Sequence, residues 1–289
     1  MDIVYLNGDF LPVDQARVSV LDRGFIFGDG VYEVIPVYGG RLFRLEQHLQ
    51  RLARSLTEIR LTNPLSGDQW RQCLQELVAR NGGGDQSVYV QITRGVAPRD
   101  HAFPPEVTPT VYVASSVLRP ISADVAEHGV AAVTLPDIRW QRCDIKAITL
   151  LPNILLRQQA IDQGAVEAIL VRDGYVNEGA ASNLFIVKAG VLLTPPKGPH
   201  LLPGITRDLV LELAAAHGIV YREEMITPED LTLAEEVWLT SSTREILAVT
   251  RLDQVVVGTG KPGLVWRKMI SLYQDYKQGV RERGEAPAA

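Results

Sequence analysis

Residues 167–196 read EAILVRDGYVNEGAASNLFIVKAGVLLTPP. Short apolar runs alternate here with turn residues such as Gly174 and Gly179, and this pattern predicts a series of β-hairpins. Grouped hairpins differ from the steady alternation of strand and helix that builds a doubly wound sheet. The stretch therefore predicts a mixed fold of the α+β class.

The chain on both sides of this stretch alternates between helical and strand-like patterns. Apolar spacing predicts helices at residues 45–59, 68–80, 152–164, 205–218 and 263–279. Strands are predicted in the hairpin around Asn7-Gly8 and at residues 87–95, 108–118, 129–140 and 235–257. The turn-rich segment at residues 119–129 predicts a division into two domains, 1–120 and 121–289, and residues 281–289 are expected to form a frayed polar end.

Composition excludes several classes of protein. The 289 residues carry a net charge of -5, so no basic surface favours nucleic acid or an anionic membrane. No apolar run approaches the roughly 20 residues that a membrane span needs, and the first ten residues do not resemble a signal peptide. The two cysteines and five scattered histidines have no metal-ligand spacing, so we expect no metal site and a cytoplasmic protein with reduced thiols.

Lys146 stands within RWQRCDIKAITLLPN, residues 139–153, just before an apolar run that we expect to enter the core. Desolvation of an ammonium group is costly and lowers its pKa. Two interpretations follow. Either the side chain extends its amine to water, or it is an amine nucleophile of the kind that reacts with carbonyl compounds.

Other segments offer groups that suit an anionic or aromatic ligand. Glu178 lies among small residues on a predicted hairpin, as a solvated turn residue or as the partner of a flat cofactor's ring nitrogen. Gly204 precedes the helix predicted at 205–218, and Thr206 is expected at a cap position at its start. The first N–H groups of this helix can bind phosphate, or the helix is simply capped and binds no ligand. Ser242 lies in TSSTREI, a second possible anion site. Arg51 is expected on the polar flank of its helix, either as a phosphate ligand or as an ordinary surface charge.

Arg99 and His101 are two residues apart in APRDHAF, a loop stiffened by neighbouring prolines. An arginine binds a carboxylate through two parallel hydrogen bonds, and a histidine adds a further donor. The pair therefore suggests a carboxylate-binding loop, although most such segments are ordinary polar loops.

In this order, the motifs resemble those of the fold-type IV, or class IV, pyridoxal-phosphate aminotransferases. The resemblance covers nearly the whole chain and is carried by these segments: DRGFIFGDGVYEV, HLQRL, TRGVAPRDHAF, DIRWQRCDIK, EAILVRDGYVNEGAASN, LLPGITRD and LTSSTREI. Tyr32-Glu33-Val34 and the Arg-x-His loop are similar to those of the subgroup that uses D-amino acids. The resemblance implies a small α/β domain and a larger barrel-like α/β domain.

The resemblance also implies roles for individual residues. Lys146 would bind the cofactor pyridoxal 5'-phosphate covalently and then move a proton between the substrate Cα and C4′ of the cofactor. Glu178 would face the pyridine nitrogen. The phosphate would be bound by Arg51, Ile205, Thr206 and Ser242, and the substrate carboxylate by Tyr32, Arg99 and His101. Because the Arg-x-His loop in this family reaches the active site of the partner subunit, a homodimer is implied.

Two departures and several alternatives stay open from the sequence. Ala180 and Ala181 replace serines that are frequent in the subgroup, and Ser242 stands where threonine is frequent. The main expectation is transamination between a D-amino acid, such as D-alanine, and a 2-oxo acid. The alternatives are a branched-chain L-amino-acid or (R)-amine transaminase, an aminodeoxychorismate lyase, and an inactive homologue that only binds the cofactor.

Overall fold

The computed structural model describes residues 2–283, so Met1 and residues 284–289 lie outside it. Of the frayed end expected at residues 281–289, the first three residues continue the last helix and the others lie outside the described residues. Within the described range, no helix combines the length and the apolar character that a membrane span requires.

The described residues form a mixed α and β structure, as the hairpin pattern predicts. The helices are α1 Arg23–Phe27, α2 Leu45–Glu58, α3 Gly67–Arg80, α4 Ala123–His128, α5 Leu151–Asp162, α6 Ile205–Ala216, α7 Pro228–Thr232 and α8 Leu264–Arg283. The strands are β1 Ile3–Leu6, β2 Asp9–Pro12, β3 Gly30–Tyr38, β4 Arg41–Leu42, β5 Gln86–Thr93, β6 Thr110–Val117, β7 Val130–Pro136, β8 Glu167–Arg172, β9 Tyr175–Gly179, β10 Asn183–Lys188, β11 Val191–Thr194, β12 Tyr221–Glu223, β13 Glu236–Ser241, β14 Glu245–Leu252 and β15 Val255–Val256.

The described chain divides into two compact units. The first unit holds residues 2–119, 145–149 and 277–283, and the second holds residues 120–144 and 150–276. The segment that carries Lys146 therefore groups with the first unit, although it lies beyond residue 120 in sequence. A division into two continuous domains at 120/121 stays a prediction.

The first unit is a six-stranded antiparallel sheet with the strand order β2-β1-β6-β5-β3-β4. Alternate residues of β3, such as Val31 and Ile35, share one apolar cluster with Leu52 and Leu56 of α2. Helix α3 begins with a capping box between Ser66 and Gln69 and ends before the glycines at 82–84, as its sequence predicts. Both helices are therefore amphipathic elements packed on the sheet.

The short segment 145–149 pairs with the start of β3. Tyr32 N donates to Lys146 O at 2.9 Å, and Ile148 N donates to Gly30 O at 3.1 Å. The expectation that the run after Lys146 enters the core is wrong beyond this point, because Leu151 is 66% exposed. Leu151 begins α5, which buries the face of Leu156 and Ala160 and leaves its other face outside the core.

The second unit is a nine-stranded sheet whose main strand order is β12-β11-β10-β13-β14-β7-β8-β9, with β15 beside β14. The hairpins predicted in residues 167–196 are present as β8–β9 and β10–β11, and the strands predicted in residues 235–257 include the antiparallel pair β13–β14. The strands β9 and β12 lie at the two edges of this sheet. Val176 N, in β9, donates to the O atom of Ile226 at 2.8 Å, and Ile226 lies three residues after the end of β12. The sheet therefore curls back on itself, as expected for a barrel-like unit.

Three short helices were not predicted from apolar spacing. In α1, the side chain of Asp22 accepts from Gly24 N, and Gly28 ends the helix in the left-handed conformation. In α4, which lies in the turn-rich segment, Ser122 is the N-terminal cap, and Thr227 has the same role in α7. Such short helices depend on their caps, because they are too short to show an apolar period.

Candidate active site

Lys146 lies beside the aromatic ring of Tyr32 in the first unit. Its Nζ is 4.1 Å from the ring centroid, within the range of a cation–π contact. Lys146 N also donates to Ser55 Oγ of α2 at 3.3 Å. The backbone of this lysine is therefore fixed between β3 and α2, and the structure brings together two residues that sequence analysis assigned to one site.

Arg51 occupies the buried face of α2, so its expected place on a polar flank is wrong. Its Nε donates to Glu33 Oε1 at 2.7 Å, and its Nη2 donates to Glu33 Oε2 at 2.8 Å. The Nδ1 atom of His48 lies 2.8 Å from the same Oε2. The apolar spacing of α2 predicts that Arg51 lies outside the core. Its burial is possible because the buried carboxylate of Glu33, on β3, neutralises its charge and accepts its hydrogen bonds.

Charge and burial compete within this cluster. Burial alone would raise the pKa of Glu33, but Arg51 and His48 hold it well below its usual value. Burial lowers the pKa of His48, even though Glu33 favours the protonated ring. Glu33 is therefore a carboxylate throughout the neutral pH range.

Arg99 and His101 both lie against the ring of Phe27. The guanidinium carbon of Arg99 is 5.4 Å from the ring centroid, and the His101 ring centroid is also 5.4 Å from it. Tyr32, the third residue assigned to carboxylate binding, instead contacts Tyr89 and Lys146. The assigned carboxylate-binding residues thus form two separate sets of contacts in this chain.

Glu178 is buried in the second unit, where three donors hold its carboxylate. Arg139 Nη1 donates to Oε1 at 2.6 Å, while Asn183 Nδ2 and Leu202 N both donate to Oε2 at 3.0 Å. Its interpretation as a solvated turn residue is therefore wrong. The carboxylate belongs to a built polar site at the end of β9.

Burial raises the pKa of Glu178 to about 7, although Arg139 and the Leu202 N–H oppose the shift. Arg139 is shared with Asp137, whose Oδ1 and Oδ2 accept from Nε at 2.9 Å and Nη2 at 3.0 Å. Asp137 also raises the pKa of Glu178 through its negative charge. Glu178 is therefore protonated more readily than an ordinary glutamate, and a positively charged partner would favour its ionised form.

The start of α6 lies next to this carboxylate site. Gly204 precedes Ile205 and Thr206, and its cap position provides no side-chain hydrogen bond to the helix. A Cβ at Gly204 would lie 1.8 Å from Asn183 Oδ1, so any other residue here would force the Asn183 side chain to move. Asn183 therefore contacts both Glu178 and Gly204, the residue before α6. The first N–H groups of α6 have no partner within the helix.

Ser242 lies in the turn between β13 and β14. Two residues earlier, Thr240 pairs with Asn183 of β10, so this turn follows a strand that borders the Glu178 site. Within the turn, Arg244 Nη2 donates to the buried Glu167 Oε2 at 2.5 Å. The second unit thus brings Glu178, the α6 start and the TSST segment to neighbouring positions.

Several residues that hold these groups were given no role from the sequence. They are Glu33, His48, Asp137, Arg139 and Asn183. Each is a polar residue within or just beside an apolar strand or on the apolar side of a helix. That position is the signal that would have identified them, because a buried polar side chain requires a partner.

Comparisons with known proteins place the chain in a family. The model of the family "Amino-transferase class IV" matches residues 30–252. The chain is 40% identical to D-alanine aminotransferase of Bacillus licheniformis over 274 residues, covering 94% of this chain and 96% of that one. It is 41% identical to the enzyme of the same name from Staphylococcus aureus (strain COL), covering 96% and 98%.

A solved structure gives the same fold. The branched-chain amino acid aminotransferase of Escherichia coli matches with a TM-score of 0.90 and 29% identity, covering 99% of this chain and 96% of that one. The match to the family model spans most of the chain and includes all nine residues assigned from the sequence. The chain therefore belongs to the class IV aminotransferases.

Proposed function

We propose that this chain catalyses transamination between a D-amino acid, such as D-alanine, and a 2-oxo acid, such as 2-oxoglutarate. The products are then pyruvate and D-glutamate, and the cofactor is pyridoxal 5'-phosphate. The observation that carries the proposal is the 40% identity with a D-alanine aminotransferase along 94% of the chain. At this level of similarity over nearly the full length, a shared reaction class is the simplest account.

The second unit has groups that fit the two ends of this cofactor. The start of α6 offers N–H groups without a side-chain cap, and these suit a phosphate at Ile205, Thr206 and the neighbouring Ser242. The Glu178 carboxylate, held by three donors, suits a protonated ring nitrogen. When bound, pyridoxal phosphate supplies an electron sink for the carbanion formed at the substrate Cα.

In the first unit, Lys146 would hold the cofactor through its side-chain amine; once the substrate amine has displaced it, the released lysine amine would accept the proton from the substrate Cα. The backbone hydrogen bonds of Lys146 to β3 and α2 restrict where that amine lies. Arg51 is the proposed phosphate ligand of this unit. Its hydrogen bonds to Glu33 fix the plane of the guanidinium.

Arg99, His101 and Tyr32 bind the α-carboxylate of the substrate. Fixing the carboxylate determines which substituent of Cα points towards the base, and this sets whether the D or the L form reacts. We therefore assign the preference for D-amino acids to the Arg-x-His loop more than to Lys146.

The test is a panel of D- and L-amino acids, with the absorbance of the bound cofactor followed from its pyridoxal to its pyridoxamine form. D-Alanine is expected to produce the change, and Lys146→Ala is expected to abolish turnover. The second candidate is a branched-chain L-amino-acid aminotransferase, favoured by the 0.90 TM-score of such an enzyme. A response to L-leucine without any response to D-amino acids would select that candidate.

A homodimer is proposed, with the Arg99/His101 loop serving the partner's site. Mixing Lys146→Ala with Arg99→Ala subunits tests this arrangement, because each hybrid dimer would then contain one intact site. Random exchange is expected to restore about a quarter of wild-type kcat/KM. If the loop served its own subunit, both sites of every hybrid would stay defective and no activity would return.

A cytoplasmic location is also proposed. Cys73 and Cys143 are both free and buried, which suits a reducing compartment. Fractionation of cells that produce the protein, with compartment markers, tests the location.

A further inference from the structure

Arg23, in the motif DRGFIFGDG, is a buried arginine that neither family resemblance nor sequence pattern assigns to a role. It begins α1 and is 3% exposed. Burial of a guanidinium is costly unless several acceptors surround it, so its partners indicate what it holds in place.

Two of those partners are backbone carbonyls on either side of His101. Arg23 Nη1 donates to Asp100 O at 2.6 Å and to Ala102 O at 3.3 Å. Its guanidinium carbon also lies 4.9 Å from the centroid of the Phe27 ring. The same ring contacts Arg99 and His101. Arg23 therefore contacts both the backbone of the loop and the aromatic ring against which the Arg99 and His101 side chains pack.

Asp29 anchors this arginine together with a second one. Arg23 Nε donates to Asp29 Oδ2 at 2.8 Å, and Arg94 donates to both carboxylate oxygens, at 2.8 Å and 3.0 Å. The guanidinium carbon of Arg94 lies 3.7 Å from the centroid of the Phe103 ring. Residues before and after the Arg99–His101 segment are therefore tied to one partly buried carboxylate.

The base of the loop is packed closely as well. Arg23 N donates to Gly95 O at 2.9 Å. A Cβ at Gly95 would lie 2.0 Å from Thr108 O, and one at Gly24 would lie 2.2 Å from Thr93 Cγ2. These contacts restrict the backbone of the strand ends at the base of the loop. The backbone of the loop can therefore move mainly within residues 98–104, and Arg23 binds the carbonyls of two residues in this segment.

We propose that Arg23 is a positioning residue for the substrate carboxylate: by holding the carbonyls of Asp100 and Ala102, it fixes the orientation of Arg99 and His101. This inference rests on the proposed function, because it assigns Arg99 and His101 to carboxylate binding. A bidentate arginine loses its advantage when its plane turns, so loss of the anchor weakens substrate binding without touching the cofactor.

The experiment compares Arg23→Gln holoenzyme with wild type and with Arg17→Gln. Arg17 is an exposed arginine six residues earlier in the sequence that donates to the adjacent Ala16 O, so it is a matched surface control. In Arg23→Gln, KM for D-alanine is expected to rise between about tenfold and a hundredfold, while kcat changes much less. Arg17→Gln is expected to match wild type.

Hydrogen–deuterium exchange of peptides that cover residues 97–105 provides a readout independent of activity. Faster exchange in Arg23→Gln, with unchanged cofactor absorbance per subunit, supports the proposal. Unchanged KM and exchange in a folded variant would overturn it, as would equal falls in kcat and cofactor content. If Arg23→Gln does not fold, Arg23→Lys replaces it, because one ammonium cannot span Asp29 and two carbonyls.

Failure of the proposed function is recognised separately. If wild type does not convert D-amino acids, the exchange comparison still tests the anchor. KM is then compared with the amino acid that wild type accepts. An unchanged KM for that substrate overturns the proposal, and a raised KM supports it.

Discussion

Glu33 and Glu178 are two buried glutamates, each bonded to an arginine, whose pKa values move in opposite directions. The pKa of Glu33 lies well below the usual value, whereas that of Glu178 is raised to about 7. Both side chains are removed from water, so burial raises both pKa values and does not explain the difference.

The difference lies in how the positive charge is shared. Arg51 gives Glu33 two hydrogen bonds, one to each oxygen, and His48 lies beside it. Arg139 gives Glu178 a single hydrogen bond, because its Nε and Nη2 also serve Asp137. Glu33 is thus fully compensated, and Glu178 competes for its cation with another carboxylate.

The degree of charge compensation determines which glutamate is available for chemistry. A fully compensated carboxylate is a structural ion pair, whose charge is fixed at neutral pH. A carboxylate with partial compensation still gains from a further positive partner, which a protonated pyridine nitrogen provides. We therefore expect substitutions at Glu33 to affect stability first and those at Glu178 to affect catalysis first.

The largest expected effect is the loss of stability in Glu33→Gln. The substitution takes away the charge that Arg51 and His48 both face, and breaking a buried ion pair lowers the free energy of unfolding by about 3–5 kcal/mol. Urea unfolding of the protein without cofactor measures this change. Glu46→Gln, at an exposed glutamate of the same helix as Arg51, is the control and should change stability by less than about 1 kcal/mol.

The next largest effect is a fall in kcat, which is expected for Glu178→Gln. The neutral amide no longer stabilises a protonated ring nitrogen, so kcat should fall by about a hundredfold or more, or about 3 kcal/mol in the activation barrier. Asp137 still pairs with Arg139, so at pH 4.5 the free energy of unfolding should change by about 1 kcal/mol or less. Steady-state kinetics and urea unfolding measure the two quantities.

Asp173→Asn, on the turn of the same hairpin, is the control for Glu178→Gln and should leave kcat unchanged. A stability loss as large as that of Glu33→Gln, with little change in kcat, would contradict the distinction between the two glutamates.

These residues also show how far sequence alone reaches. The hairpins of 167–196 and the helices at 45–59 and 205–218 were predictable because their periods and turn residues are local. Lys146, Glu178 and the α6 start were recognised as motifs. Arg51 was misplaced, and Arg139 and Asn183 were missed, because their burial depends on partners 18, 39 and 5 residues away that pair only after folding.

The next effect concerns the pH dependence of stability. The folded pKa of Glu178, about 7, exceeds its ordinary value of 4.5, so the folded state binds more protons between these values. The stability that this group contributes is present below pH 4.5 and lost as pH rises through 7, by about 1–3 kcal/mol. Unfolding of wild type and Glu178→Gln without cofactor, compared from pH 4.5 to 8, measures this loss.

Glu33 should show the opposite dependence. Its folded pKa is lowered, so its contribution is present above the ordinary value of 4.5 and lost as pH falls below it. The difference between wild type and Glu33→Gln is therefore expected to stay constant from pH 5 to 8 and to shrink under acid conditions. Equal pH profiles for the two glutamates would show that charge sharing does not distinguish them.

The smallest expected effect tests the role of Asp137. In Asp137→Asn, the negative charge near Glu178 is removed and Arg139 no longer divides its attraction, so both changes lower the pKa of Glu178. We expect a decrease of less than about one pKa unit, or about 1.4 kcal/mol. The difference in unfolding free energy between Asp137→Asn and Asp137→Asn/Glu178→Gln is measured as a function of pH. The pH at the midpoint of its change should be lower than for the difference between wild type and Glu178→Gln. A midpoint at or above the wild-type value would mean that burial alone sets the pKa of Glu178. The lower pKa of Glu33 would then result from its second hydrogen bond from Arg51.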